Sequence, residues 1–434
     1  MWTRRRTIAL VFGLLPLCPA LAGAQEQQQP RVAASGDVTV NFGPEDSRDR
    51  HTGNAAGFFN YTDYKHDALR LFRISLQGMW KPIDQLAFLA EVRSEDVDHV
   101  IPYALYVRVR PWPKYNFDVQ AGRIPPVFGA FARRAYGPDN PLIGVPLAYQ
   151  YLTSIRPDAI PANTDELLNL RGRGWQTNYT VGDKSEGPGV PIVTVYRWDV
   201  GVEGHYAGGP FDAAFAVTSG TLSNPRVGDD NDGKQLSGRV GWTPVVGLVL
   251  GASAAEGDFL TKELSDAYEP VFPGKSYRQR SYGFDAEYSR GYWILRGEFI
   301  NTRWNIPAVD QPFIQNPLRA TAAYVEGKYR LTPRYFVAAR VDRMTFSNII
   351  GQNNVVPPQD PTIIPNRPLI APWTPGVPTP WDAPVTRIEY GGGVYLMRNL
   401  TTRIVYQQNW RDDPRPLFVA QSKSYVSVQV AFWF

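Results

Sequence analysis

The sequence predicts an all-β fold: a transmembrane antiparallel β-barrel of about sixteen strands, with a long third loop folded into the lumen. Three observations predict it. Stretches of roughly ten residues alternate apolar with polar or charged side chains, which puts the two kinds on opposite faces of an extended chain. Short and long connections alternate between the stretches, as in a barrel with tight turns at one end and long loops at the other. The last stretch, SYVSVQVAFWF, sets Val426, Val428, Val430, Phe432 and Phe434 on one face and Tyr425, Ser427, Gln429, Ala431 and Trp433 on the other.

The chain begins with an expected leader. MWTRRRTIALVFGLLPLCPALAGA joins Arg4, Arg5 and Arg6 to an apolar run and to small residues at Ala22 and Ala24, the pattern of a secretory signal cleaved near Ala24. The run is too short for a transmembrane helix. Cys18, the only cysteine, follows Leu17 rather than the small residue of a lipoprotein site. The chain beyond the leader therefore has no thiol, which excludes a disulfide scaffold and a thiolate metal site. The leader also carries three of the 45 Lys and Arg residues, leaving 42 against 41 Asp and Glu. A chain this close to neutral gives no ground for a nucleic-acid partner. After the leader no run of ~20 apolar residues occurs, so a helical membrane protein is excluded while a barrel is not. The expected organisation is residues 1–24 as leader, 25–67 as an N-terminal segment with a first strand and an external loop, and 68–434 as the barrel.

GDVTVNFG is the weakest strand candidate. LRLFRISLQGMW then places Phe72, Ile74, Leu76 and Trp80 opposite Arg73, Ser75 and Gln77. QLAFLAEVR sets Leu86, Phe88, Ala90 and Val92 against Glu91 and Arg93, and PYALYVRVR sets Tyr103, Leu105, Val107 and Val109 against Tyr106, Arg108 and Arg110. KYNFDVQAG, RWDVGVEGHY, PFDAAFAVT, QLSGRVGW, VGLVLGASAAEG, SYGFDAEYS, YWILRGEFIN, TAAYVEGKYR, RYFVAARVDRM, TRIEYGGGVYL and LTTRIVYQQNW continue the pattern. The links KPID, PWPK, AGGP, TPVV, SRG, LTP and RN are tight. With these and the C-terminus at one end, the strand directions stay consistent and the count is even.

Two long loops differ from the rest. Residues 347–384 contain VVPPQDPTIIPNRPLIAPWTPGVPTPW, whose prolines are expected to prevent ladder pairing and to make an external lid or partner surface. Residues 124–192, the third external loop, contain RIPPVFGAFARRAYGPDNPLIGVPLAYQYL. Phe128, Phe131, Tyr136, Leu142, Leu147 and Tyr149 in it are too apolar to stay in solvent, so the inner wall is their expected packing surface.

These features resemble a bacterial outer-membrane porin: general porins have sixteen strands and a third loop folded inward. YVEGKYRLTPRYFVAARVDRM, RIEYGGGVYLMRNLTTRIVYQQNW and GRIPPVFGAF resemble segments of the phosphate-selective porin family. The resemblance covers about half of the chain and implies a bacterial outer-membrane location and passive diffusion of small hydrophilic solutes. The terminal aromatic row, Phe432 and Phe434, resembles the signal read by the barrel-assembly machinery. Outer-membrane lipid, that machinery and the solutes, anions among them, are the expected partners, with assembly as a homotrimer an open option. No cofactor is expected. That family constricts its pore with arginines and lysines, whereas this third loop has Arg133, Arg134 and Arg156 but no lysine before Lys184, so a modest anion preference is the most the resemblance implies.

The candidate site is the lumen. Strand parity points Arg73, Glu91, Arg93, Arg108, Arg110, Asp118, Arg197, Asp199, Glu203, Arg239, Asp285, Glu287, Arg296, Glu298, Glu326, Arg340, Asp342, Arg387, Glu389 and Arg403 inward. Arg108, Arg110, Arg340, Arg387, Arg403 and Glu91 on the wall, with Arg133, Arg134, Asp139 and Arg156 on the third loop, are the expected pore-lining and constriction residues. Charges of both signs keep a pore wet without selecting an ion. Catalysis has little to build on: of four histidines, His51, His66 and His99 fall in or beside external loops and His205 near a tight turn. Asp229, Asp230 and Asp232 offer oxygen ligands but lack a calcium-loop pattern. The competing readings are a non-conducting barrel acting as a scaffold for an external partner, and a barrel carrying an apolar solute.

Overall fold

The computed structural model describes residues 31–42, 47–48, 55–56, 72–95, 99–112, 114–134, 137–174, 177–195, 198–228, 233–268, 276–353, 355–356, 369–370, 373–412 and 424–434. The leader with Ala24, as well as His51, His66, Tyr136, Arg197, Asp229, Asp230 and Asp232, lies outside them. The wall consists of β1 (Val32–Phe42), β2 (Phe72–Ile83), β3 (Leu86–Glu95), β4 (His99–Val109), β5 (Phe117–Ile124), β6 (Asp199–Gly208), β7 (Phe211–Thr218) and β8 (Gln235–Val245). It continues with β9 (Leu248–Asp258), β10 (Arg278–Arg290), β11 (Trp293–Trp304), β12 (Leu318–Arg330), β13 (Tyr335–Phe346), β14 (Val385–Met397), β15 (Leu400–Arg411) and β16 (Ser424–Trp433). Each strand pairs antiparallel with the next, and β1 pairs with β16, so the sheet closes. Closure is what lets strands cross hydrocarbon, because no backbone N–H or C=O is left on an edge.

The seam between β1 and β16 depends on a glycine. Gly36 donates to the carbonyl of Phe434 at 3.1 Å and accepts from its N–H at 3.0 Å. A Cβ at Gly36 would lie 2.7 Å from the Ser75 carbonyl oxygen and 2.8 Å from the Phe434 ring, so the approach requires glycine. GDVTVNFG, the least conspicuous stretch of the sequence, thus becomes the strand that closes the barrel.

Alternation does the sorting of faces. Leu105, Val202, Phe215, Val240, Phe284, Val325, Val341, Ile404 and Val426 are exposed on the outside, while Glu91, Asp118, Glu203, Arg340, Glu389 and Gln407 are buried on the inside. An exposed apolar band on a closed sheet is a lipid-facing surface. Trp80, Trp112, Trp242, Tyr292, Trp293 and Tyr335 add exposed aromatic rings near the tight-turn end. No helix among the described residues is long and apolar enough to cross a membrane.

The structure departs from the sequence reading at two places. Parity places Tyr103 on the outer face, but the register slips between Glu91 opposite Ala104 and Val92 opposite Pro102, and the extra residue turns Tyr103 into the barrel. The second departure is in the proline-rich loop L7 (347–384), where Asn348–Ile350 pairs with Pro378–Pro380. Prolines fit this ladder because Pro378 and Pro380 alternate with Thr379 and Trp381, and only the latter positions face the partner. Trp381 N–H accordingly donates to the Ser347 carbonyl at 3.0 Å.

Val240 lies mid-strand on β8 and is 54% exposed. Replacing it with arginine is expected to cost about 2–4 kcal/mol of folding stability in lipid, measured by denaturant titration of the heat-modifiable gel band.

Candidate functional site: the lumen and its third loop

Register decides which inward side chains meet. It places Glu287 opposite Arg296, Arg296 opposite Glu326, Glu326 opposite Arg340, and Arg340 opposite Glu389. The result is a row of alternating charge across five adjacent strands, β10 to β14. Arg296 contacts Glu287 at 2.9 Å and Glu326 at 3.5 Å; Arg340 contacts Glu326 at 3.2 Å, Asp342 at 3.2 Å, and Glu389. Arg340 is 0% exposed. A charge so buried is tolerated only when it is paired and hydrogen-bonded on most of its donors.

The third loop, L3 (125–198), completes that bonding. Arg340 donates to the Gly144 carbonyl at 2.8 Å, while Glu389 accepts the N–H groups of Gly144 at 2.7 Å and Ile143 at 3.3 Å. One ion pair thus holds both backbone polar groups of a single residue. A Cβ there would come 2.6 Å from the Glu389 carboxylate, so a larger residue would push that carboxylate out of its place. Elsewhere along the loop Asp342 accepts from Leu147 N–H at 3.3 Å, and Glu298 from Ala130 N–H at 2.8 Å. Arg387 donates to the Val145 carbonyl at 3.0 Å, and Arg403 to the carbonyls of Gly137 at 2.6 Å and Asn140. Wall carboxylates take the N–H groups of L3 and wall guanidiniums take its carbonyls, because each peptide unit has one donor and one acceptor to satisfy.

Apolar packing adds to these bonds. Phe128, Phe131, Leu142, Leu147 and Tyr149 are all buried. The Phe131 ring lies 5.3 Å from that of Tyr149 and 6.2 Å from that of Tyr324 on β12. Burial, and then the charge of Glu298, push the Tyr149 phenol well above its ordinary pKa. It stays a neutral donor, 2.8 Å from Glu298. On the opposite wall Glu91 accepts from the Ser75 hydroxyl at 2.6 Å and pairs with Arg93 at 3.2 Å. Arg93 lies 3.6 Å over the Tyr103 ring, whose hydroxyl donates to the Val195 carbonyl of L3.

Of the residues expected at a constriction, Arg340, Arg387 and Arg403 bind L3 rather than facing open lumen. Arg134 reaches Glu287 at 3.0 Å and so extends the charged row onto the loop; the Arg133 side chain lies outside the described residues. Asp139 is exposed in the turn beside the carbonyls that Arg403 holds. Arg156 is a strut within L3, gripping Asp158 at 2.8 and 2.9 Å and the Ser185 carbonyl at 2.6 Å. Arg110 lies one residue beyond β4 and is exposed at the tight-turn end, outside the charged row.

That end of the lumen is wetter. Arg108, Gln120, His205, Asp212 and Lys328 are only half-buried there. His205 lies 3.5 Å from Asp118, and Arg239 bridges Asp285 at 2.7 Å and Asp212 at 3.6 Å. The Lys328 ammonium donates to the Tyr395 hydroxyl at 3.0 Å and sits 4.5 Å over the Phe336 ring. Lys328 was open to the parity argument that found Glu326, two residues before it on the same face. Among the described residues no group of three or more His, Cys, Asp or Glu side chains could hold a metal ion.

Arg340→Met is expected to destabilise the folded barrel by about 3–5 kcal/mol, since three acidic side chains lose their central partner in a buried site. Arg110→Ala, at an exposed turn, is expected to stay within about 0.5 kcal/mol. Denaturant unfolding of both variants in the same lipid checks the contrast.

No protein-family model matches the chain, and no curated protein matches it. Among solved structures, the chain is similar to a loop-deletion mutant of OmpT, an outer membrane protein of Vibrio cholerae. The TM-score is 0.50 at 11% identity, over 93% of this chain and 99% of that one. An anion-selective porin from Comamonas acidovorans aligns with a TM-score of 0.46 at 12% identity, over 93% of this chain and 99% of that one. At this identity the first likeness is one of fold: a closed antiparallel barrel of sixteen strands.

Proposed function

We propose that the protein is a bacterial outer-membrane porin, a passive diffusion channel for small hydrophilic solutes, with its tight turns in the periplasm. The observation that carries this reading is an inward-folded L3 in a charged, sixteen-stranded barrel with an apolar exterior. Such a loop narrows the path without contributing to the wall, so passage and fold rest on different residues. The exposed outer band suits lipid or further copies of the chain in a homotrimer. Phe432 and Phe434 face outward beside the seam, where the assembly machinery could read them.

Selectivity is weak in this reading. Arg340 is paired with three wall acids and adds little to the field a solute meets, while Arg387 and Arg403 are buried against the carbonyls of L3. Arg108 and Lys328 remain in the wetter part of the lumen, and a modest anion preference rests on them. A second reading has its own support. The wall residues bound by L3 are buried almost without exception, as they would be in a closed barrel that serves as a scaffold or carries an apolar solute.

Planar-bilayer recording separates the two. The purified protein is expected to give discrete conductance steps with a small anion-directed reversal potential in asymmetric salt. Excising residues 137–145 is expected to raise conductance and strengthen anion preference, because Arg340, Arg387 and Arg403 lose their carbonyl partners. Replacing Arg133 and Arg134 together by glutamate moves the reversal potential towards cations. Silence from both the parent and the shortened protein sinks the channel reading.

A further inference from the structure

Beyond Tyr151, L3 turns away from the charged row and meets L7 at the long-loop end of the barrel. Asp382 of L7 is fully buried there, and its carboxylate takes four hydrogen bonds from L3. Oδ1 accepts from Gly172 N–H at 2.7 Å and the Tyr151 hydroxyl at 3.2 Å; Oδ2 accepts from Ser154 N–H at 2.9 Å and its hydroxyl at 3.1 Å. Its own neighbour Ala383 donates a fifth at 2.7 Å. No described Lys, Arg or His pairs with this carboxylate. Arg171 of L3 instead donates to the Asp382 backbone carbonyl at 3.3 Å.

Adjacent side chains make this end of L7 rigid. Trp381 is fully buried, its ring 4.8 Å from Phe346 and 6.1 Å from Trp304, and its indole donates to the Arg319 carbonyl at 2.8 Å. The other limb of L7 holds the short L3 helix Thr164–Asn169, where Asp165 accepts from the N–H groups of Gln352 at 2.8 Å and Asn353 at 3.2 Å. Leu168 packs beside Trp373 there.

We infer that Asp382 is a positioning residue for passage: it pins residues 151–172 of L3 to L7 and so keeps L3 across the long-loop end of the lumen. The chemistry favours this role over simple packing. A buried carboxylate is stable only while several donors converge on it, and the backbone N–H groups of Ser154 and Gly172 are spaced so that one acceptor serves both. The pin joins two loops, not two strands, so the wall does not need it. The effect on passage rests on the channel reading; the pin itself does not.

The test combines hydrogen–deuterium exchange with bilayer recording on the full protein carrying Asp382→Ala, and separately on the double variant Tyr151→Phe, Ser154→Ala, which leaves Asp382 in place. Exchange in residues 151–174 is expected to rise roughly tenfold or more in both, with strand amides unchanged and heat-modifiable migration intact. Conductance is expected to rise with it. Unchanged exchange in both variants overturns the pin, as does a uniform rise across the strands, which would mean a general stability role. Faster loop exchange in a conducting protein whose conductance stays the same overturns the control of passage. Faster loop exchange in a protein silent before and after supports the pin and removes the channel reading instead.

Discussion

A loop inside a barrel has the same obligation as a strand in its wall: its N–H and C=O groups must find partners where water is scarce. The strands meet it with ladders. L3 has almost none, so the wall supplies side chains of both signs, and the position of the loop follows from where those signs fall. The alternating row from Glu287 to Glu389 is therefore two devices in one. Across the strands it pairs neighbours in register; towards the lumen it offers an acceptor or a donor wherever the loop presents the opposite.

If the barrel is a channel, this double use changes how lumen charge relates to ion permeation. Counting inward arginines overstates the positive field, because a guanidinium bound to a carboxylate and a carbonyl has little left to offer a passing anion. In the channel reading a solute meets the remainder, which includes the half-buried Arg108, Lys328 and His205 near the tight turns. The same logic explains why the wall can carry so many buried charges and remain stable. Arg340, Arg387 and Arg403 are each part of a bonded set, and the loop backbone closes sets that the wall alone would leave incomplete.

The barrel was legible because its signal is local. Period-two alternation and the spacing of tight links gave the strands, the closed architecture and the two unusual loops from residue order alone. Inward-facing charges were legible too, Glu298, Asp342 and Glu389 among them, because parity carries through a regular strand. Parity failed at Tyr103, where a bulge inserts one residue and reverses the faces. What the inward charges do was not legible. Whether Arg340 faces solvent or Gly144 depends on the path of a loop about two hundred residues away in sequence, and no periodicity encodes that path. Asp382 was hidden for a related reason: next to Trp381 in a proline-rich stretch, it looks like a surface turn residue until Ser154 and Gly172 are brought to it.

The seam between β1 and β16 also sets an order of events. Strands joined by the tight links can zip together as hairpins, each closing only a short loop, whereas the pairing of Gly36 with Phe434 joins segments separated by almost the whole chain. Such a contact carries the largest closure entropy of any in the sheet and forms late, after the other strands have brought its two edges together. Until then both edge strands present unpaired backbone groups, the condition under which strands add to foreign sheets. A slow last step on an otherwise local topology gives such a chain reason to be escorted to its membrane, and makes the small residue at Gly36 a determinant of how quickly the exposed interval ends.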